Sequence, residues 1–254
     1  MEEEKKSVET EAIRHKKYSK ENVITTPVIV LIAAVALILV FNQLQIAGIS
    51  GMVSTGVGGG KGSSSSKLST DKRLANINLA EIKSTGHSVA AVFPVEDIKT
   101  QEDAMAIMFP TGTPPYGEEL GVSYDDPINS LSVLSKMYRP LKAEVQKNNP
   151  EAWQRFMSLA SMPLGISCEY CCGVKAVGIN QNGDSICGCQ HNPALLAVTL
   201  YLTAYTDYSE GEILREAMRW KTIFFPKNMI ELGMTVAGGD TSKLENLPGM
   251  VGGC

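Results

Sequence analysis

Hydrophobic and polar positions divide the chain into three stretches of different character. The first is a run with no charged residue between Glu21 and Lys61. Within it lies VITTPVIVLIAAVALILVFNQLQIAGI, Val23 to Ile49, whose densest part, Val28 to Phe41, holds only Val, Ile, Leu, Ala and Phe. A bilayer core takes about 20 mostly apolar residues as helix, so the pattern predicts a transmembrane helix over 23–49. Pro27 fits its first turn, where the missing N–H costs nothing. Arg14, Lys16, Lys17 and Lys20 precede the run, and the first basic residue beyond it is Lys61. The positive side faces the cytoplasm. The expectation is a single-pass protein of the cell membrane, with a cytoplasmic tail over 1–22 and everything beyond Ile49 outside.

The second stretch, 50–72, SGMVSTGVGGGKGSSSSKLSTDK, reads as a flexible Gly/Ser linker without a core. The Gly58–Lys61–Gly62–Ser63 sequence lacks the spacing of a phosphate-binding loop.

The third stretch, 73–254, alternates helical apolar spacing with turn signals and is the expected extracytoplasmic domain. His87 to Ile98 reads as a short apolar strand ended by Pro94, with His87 itself at the surface. TQEDAMAIMF reads as a helix capped by Thr100, with Asp103 completing a capping box. Asp126 and Pro127 start a helix whose apolar face is Ile128, Leu131, Leu134 and Tyr138. Asn149 and Pro150 start another, with Trp153, Phe156, Met157 and Ala160 inward. Asn192 and Pro193 open PALLAVTLYLTAYT. SEGEILREAMRWKTIFFP carries a capping box, Ser209 with Glu212, and its helix ends before Pro226. Trp220, Phe224 and Phe225 read as core. The fold class is mainly α, with a small β-hairpin over 168–191.

That hairpin carries the candidate chemistry. CEYCCGVKAVGINQNGDSICGCQH, Cys168 to His191, holds five of the chain's six cysteines. Apolar residues flank Asn182-Gly183, a strong hairpin-turn signal. A hairpin there brings Cys168, Cys171 and Cys172 beside Cys187, Cys189 and His191, in a zinc-ribbon-like layout. Two sulfurs separated by two residues reach one ion at about 2.3 Å, and Gly173 and Gly188 let the backbone approach closely. The primary ligand set is Cys168, Cys171, Cys187 and one of Cys189 or His191, extended by Cys172. Cys254, in LPGMVGGC, is a further candidate. Zn²⁺ is the leading ion and copper the alternative, since soft sulfur suits both. A disulfide knot, an iron–sulfur cluster and a redox-active dithiol remain open. A c-type haem is excluded, because Cys172 stands where its motif needs histidine.

With 23 Lys and Arg against 27 Asp and Glu, the net charge is −4. No basic block interleaves with aromatics, which excludes a nucleic-acid partner. The membrane is the one partner the sequence points to; a protein partner is not indicated. No catalytic residues are assigned. The expected function is metal binding outside the cell, structural or for metal handling, and the alternative is a thiol–disulfide oxidoreductase.

CGCQH resembles the uncharacterised extracytoplasmic proteins named for a Pro-Cys-Tyr-Cys-Gly-Cys motif, matching at Cys187, Gly188, Cys189 and His191. The wider pattern, GISCEYCCG, CGCQHNPALLA and TDYSEGEILREAMRWKTIFFPKNM, is similar to membrane-anchored archaeal proteins of unknown function. The resemblance implies a recurring unit and metal binding, without an established activity.

Overall fold

The computed structural model describes residues 72–239 and 247–253, all within the compact unit Lys67–Cys254. Nine α-helices follow one another: α1 Lys72–Ala75, α2 Thr85–Val92, α3 Gln101–Met108, α4 Gly117–Leu120, α5 Pro127–Asn148, α6 Pro150–Ser161, α7 His191–Tyr205, α8 Glu210–Phe224 and α9 Pro226–Val236.

The helix starts follow local chemistry. Thr100 with Asp103 and Ser209 with Glu212 form reciprocal capping boxes. Asp126 and Asn149 accept from the backbone N–H three residues on, each followed by proline at the first helical position. Helix α5 continues through Pro140, an exposed position on its outer face, where the carbonyl that loses its N–H partner is accessible to solvent. On its apolar face Leu131, Leu134 and Tyr138 are buried, but Ile128 is 67% exposed in the first turn.

Helix α7 is the centre of the packing. It is apolar on every side and packs against α5, α6 and α8, as a fully enclosed helix must. Thr199 and Thr203 satisfy their hydroxyls on carbonyls one turn back. Helix α8 meets α1, α2 and α9 as well. It brings Trp220 and Phe224 into the core, with Phe225 just beyond its end, while Trp153 of α6 is half-buried. It also buries charge. Glu216 accepts hydrogen bonds from Tyr124 and, at 2.9 Å, from the Tyr116 hydroxyl, and pairs with Arg219 at 2.7 Å. Lys221, on a different face, is fully buried.

The structure answers four expectations, three of them as corrections. First, 87–98 is not a strand. Ser84 caps α2 through the His87 N–H, and Val95–Asp97 forms a 3-10 turn. His87 is on the surface, on that helix. Second, the helix expected to end before Pro226 does so, at Phe224, and Pro226 then opens α9.

Third, the β-hairpin is not formed, and among the described residues there is no strand. Two isolated bridges remain, Ile166 to Val177 and Ile179 to Ser185. The physical reason is competition. The first arm pairs with 165–167, through Gly165 N–H to Ala176 C=O and Ser167 Oγ to Lys175 C=O. The second arm keeps only the positions next to the turn. That turn closes from Asn180 to Gly183, whose φ of +72° suits glycine.

Fourth, the single-pass architecture and cell-membrane localisation are not carried by the structure. The helix expected at 23–49 and the tail at 1–22 lie outside the described residues. So does the 50–72 linker, except Lys72, which opens α1. Among the described residues no helix is long and apolar enough to cross a membrane. Helix α7 is apolar but has 15 residues, about 22 Å at 1.5 Å per residue, against a hydrocarbon core of about 30 Å. Helix α5 is long enough but carries Lys136, Arg139, Lys142, Glu144 and Lys147.

Candidate metal centre

The segment between α6 and α7 is irregular yet deeply set, and named side chains hold it. Ser88 of α2 donates to the Leu164 carbonyl at 2.7 Å. Lys221 donates to the Gly165 carbonyl at 2.9 Å and forms an ion pair with Glu169, which also accepts from Thr85 Oγ1. Glu169 has φ +51°, and the next N–H, of Tyr170, returns to the Cys168 carbonyl at 2.6 Å. This tight turn starts the first knuckle. Burial pushes the Lys221 ammonium below its usual range, and the Glu169 charge opposes that.

Asn192 joins the two knuckles. Its Oδ1 accepts from Cys168 N–H at 3.3 Å, and its Nδ2 donates to the Gly178 carbonyl at 2.8 Å and to Ser185 Oγ at 2.7 Å. It is fully buried in the first turn of α7. The sequence reads it as a helix start; in space it is the clasp of the cysteine loop.

The result is a convergence of thiols. The sulfurs of Cys168, Cys171, Cys172, Cys187 and Cys189 all lie within 4.8 Å of one another, a group that can hold a metal ion. Cys168 Sγ is 3.6 Å from the sulfurs of Cys171, Cys172 and Cys189. Cys171 to Cys172 is 3.8 Å and Cys172 to Cys189 is 4.0 Å. Cys187 is joined to Cys172 as a disulfide and lies 3.2 Å from Cys189 and 3.8 Å from Cys168, while Cys168 and Cys189 are free thiols. Cys168 is fully buried and Cys172 is exposed, so the group reaches from the core to the surface.

Cys168 and Cys189 behave as a pair. The hydrogen bond from Cys168 holds the Cys189 thiol well below its usual range, helped by His191 and the Asn192 N–H; the same bond, with burial, pushes Cys168 up.

His191 is fully buried but is not one of the converging donor group. Its Nε2 is 2.8 Å from the Val251 carbonyl, and a carbonyl only accepts, so Nε2 carries a proton and donates it there. Nδ1 has no hydrogen-bond partner. The ring packs against Phe224 and Phe225. The 247–253 segment is tied down by Val251 N–H to Phe224 C=O at 2.9 Å and Lys227 N–H to Pro248 C=O at 3.1 Å. Gly252, at φ +75°, lies where a Cβ would be 2.7 Å from Leu131, so only glycine fits. Cys254 lies outside the described residues.

Of the two glycines expected to ease close approach, neither meets any atom within 4 Å at its Cβ position. Gly173 is needed for its φ of +67°; Gly188 faces open space.

No family model matches the chain, and neither the curated proteins nor the solved structures hold a significant match.

Proposed function

We propose that the chain is a thiolate metal-binding protein for a soft, tetrahedral cation, Zn²⁺ first and Cu(I) second. Cys168, Cys171, Cys172 and Cys189 are the donors in the reduced protein, and Cys187 is a reserve thiol beside them. The observation that carries this reading is the sulfur spacing. Four thiolates at about 2.3 Å from a central ion stand about 3.8 Å apart along each edge of the tetrahedron. Five of the six sulfur–sulfur separations within this set run from 3.6 to 4.0 Å.

Zinc titration of the full chain after reduction, followed by native mass spectrometry, tests the proposal. One tightly held Zn²⁺ per chain is expected, lost in Cys168→Ser and in Cys189→Ser and retained in Cys187→Ser. No retained ion in the reduced wild type would end it. Removal of the ion by a chelator separates the roles: collapse of the 165–190 loop indicates a structural ion, and reversible loading with the loop intact indicates metal handling.

A second reading is favoured by the Cys172–Cys187 bond. Attack of the Cys189 thiolate on Cys187 would form Cys187–Cys189 and release Cys172 as thiolate, a thiol–disulfide exchange. Under that reading the metal-free protein, supplied with a small dithiol that is oxidised as it regenerates the protein thiols, reduces a small model disulfide with turnover. A stoichiometric gain of two titratable thiols on reduction, with no turnover, leaves only the metal reading.

A further inference from the structure

A cleft of about 720 Å³ opens beside the thiols, between α5 and the 184–190 loop. Cys187, Gly188 and Cys189 form part of its floor. Its α5 wall carries Lys136, Arg139 and Lys142, spaced so that they follow one another down a single helix face. Asp184 is its one carboxylate, and it is committed to Lys142. Lys136 and Arg139 are exposed and make no ion pair among the described residues. The chain as a whole is acidic, at −4, so a cationic wall facing the thiols is a local arrangement and not the general surface.

This wall has the wrong sign for a bare cation. With Lys142 paired to Asp184, the two positive side chains of Lys136 and Arg139 at the approach repel hydrated Zn²⁺ and attract an anion. A volume of this size suits a small molecule. Resting on the metal reading of the thiol group, we propose that the cleft receives the ion as a small anionic chelate of the carboxylate or thiolate class. Lys136 and Arg139 hold the chelate's anionic groups, and Cys189 is the first thiolate to meet its metal. The ion then passes from the carrier's donors to sulfur by ligand exchange. Each metal–sulfur bond that forms replaces one metal–carrier bond, each protonated thiol gives its proton to solvent, and the freed carrier leaves by the same cleft. No electron is transferred.

Two features make the idea easy to break. Gly188 has an unstrained backbone and open space at its Cβ, so Gly188→Leu plugs the floor without removing a donor. Lys136→Glu with Arg139→Glu reverses the wall's charge on an exposed helix face. The full chain, reduced and metal-free, is mixed with zinc citrate or with hydrated Zn²⁺, and loading is followed by stopped flow.

From zinc citrate, the charge-reversed variant loads about tenfold more slowly than the wild type at low salt, in the range expected for electrostatic steering, and the gap closes in high salt. From hydrated Zn²⁺ it loads no more slowly than the wild type. Gly188→Leu slows loading from zinc citrate while the final stoichiometry is unchanged. If both variants load from zinc citrate at the wild-type rate, the cleft proposal falls and the metal reading stands. If the reduced wild type retains zinc from neither source, both fall.

Discussion

Helix α7 and the loop that precedes it lie equally deep but are held in opposite ways. Twelve of the 15 residues of α7 are buried, and their contacts are apolar, numerous and individually replaceable. In the loop, Ile166 and Cys168 are as deeply buried, yet no regular ladder serves the backbone. Its carbonyls at Leu164, Gly165, Lys175 and Gly178 are met one by one by Ser88, Lys221, Ser167 and Asn192. The helical body is therefore stabilised by area, and the site by a short series of specific bonds. A change in the body should cost stability without touching the thiols. A change in the loop should cost the site more than its own buried area suggests.

The largest effect is expected in the body. Trp220→Ala removes a fully buried ring and its 2.8 Å hydrogen bond to Tyr116. It should lower unfolding free energy by about 4 kcal/mol, read from the urea midpoint. Next comes Glu169→Gln, which leaves the buried Lys221 charge without its partner. A loss of about 3 kcal/mol is expected, as for a broken buried pair, together with weaker zinc binding. Asp184→Asn breaks a pair whose carboxylate is exposed, and should move the midpoint far less. Equal effects from these two would remove the contrast between loop interior and loop surface.

Gly183→Ala should be smaller than either large effect, about 2 kcal/mol. It forces φ +72° on alanine and sets a Cβ 2.3 Å from Trp153, so Trp153 emission should shift with stability. Zinc added to the reduced chain should slow amide exchange in 165–190 and leave α7 unchanged; uniform protection would mean that loop and body unfold as one.

The smallest effect is acidic. Backbone N–H groups of Lys99 and Thr100 hold the Asp103 carboxyl below its usual range. Its contribution is fully present above the ordinary carboxylate pKa of about 3.9 and fades as pH falls through the lowered value. Asp103→Asn should lower the neutral plateau of the stability curve slightly, toward the low-pH value, and so flatten its acid limb.

Much of the helical body was legible in the sequence because caps are local. Thr100 with Asp103, Asp126 with Pro127, Asn149 with Pro150 and Ser209 with Glu212 each act within four residues. The short run around Val89 misleads, since an apolar stretch of that length fits strand or helix; its deciding residue, Ser84, stands before the run. Pro226 marks the end of α8 in the sequence and in the structure, and it also starts α9, because proline suits both places by the same chemistry. In the site, cysteine spacing foretells the convergence, which depends on nearby chain. What it misses is long-range: Glu169 meeting Lys221 52 positions away, Asn192 reaching Gly178, and Val251 fixing His191 from 60 positions away. The hairpin expectation fails for the same reason, because 165–167 outcompetes the second arm.

Helix α8 has a further property. Glu216 and Lys221 are five positions apart, so they leave the helix axis about 140° from each other. One enters a socket of two tyrosine hydroxyls, and the other a socket made by Gly165 and Glu169. Sliding the helix by a single residue would rotate it by about 100° and pull both charges from their sockets together. Helix α8 is thus keyed twice into its surroundings, and one key is cut in the turn that begins the first cysteine knuckle.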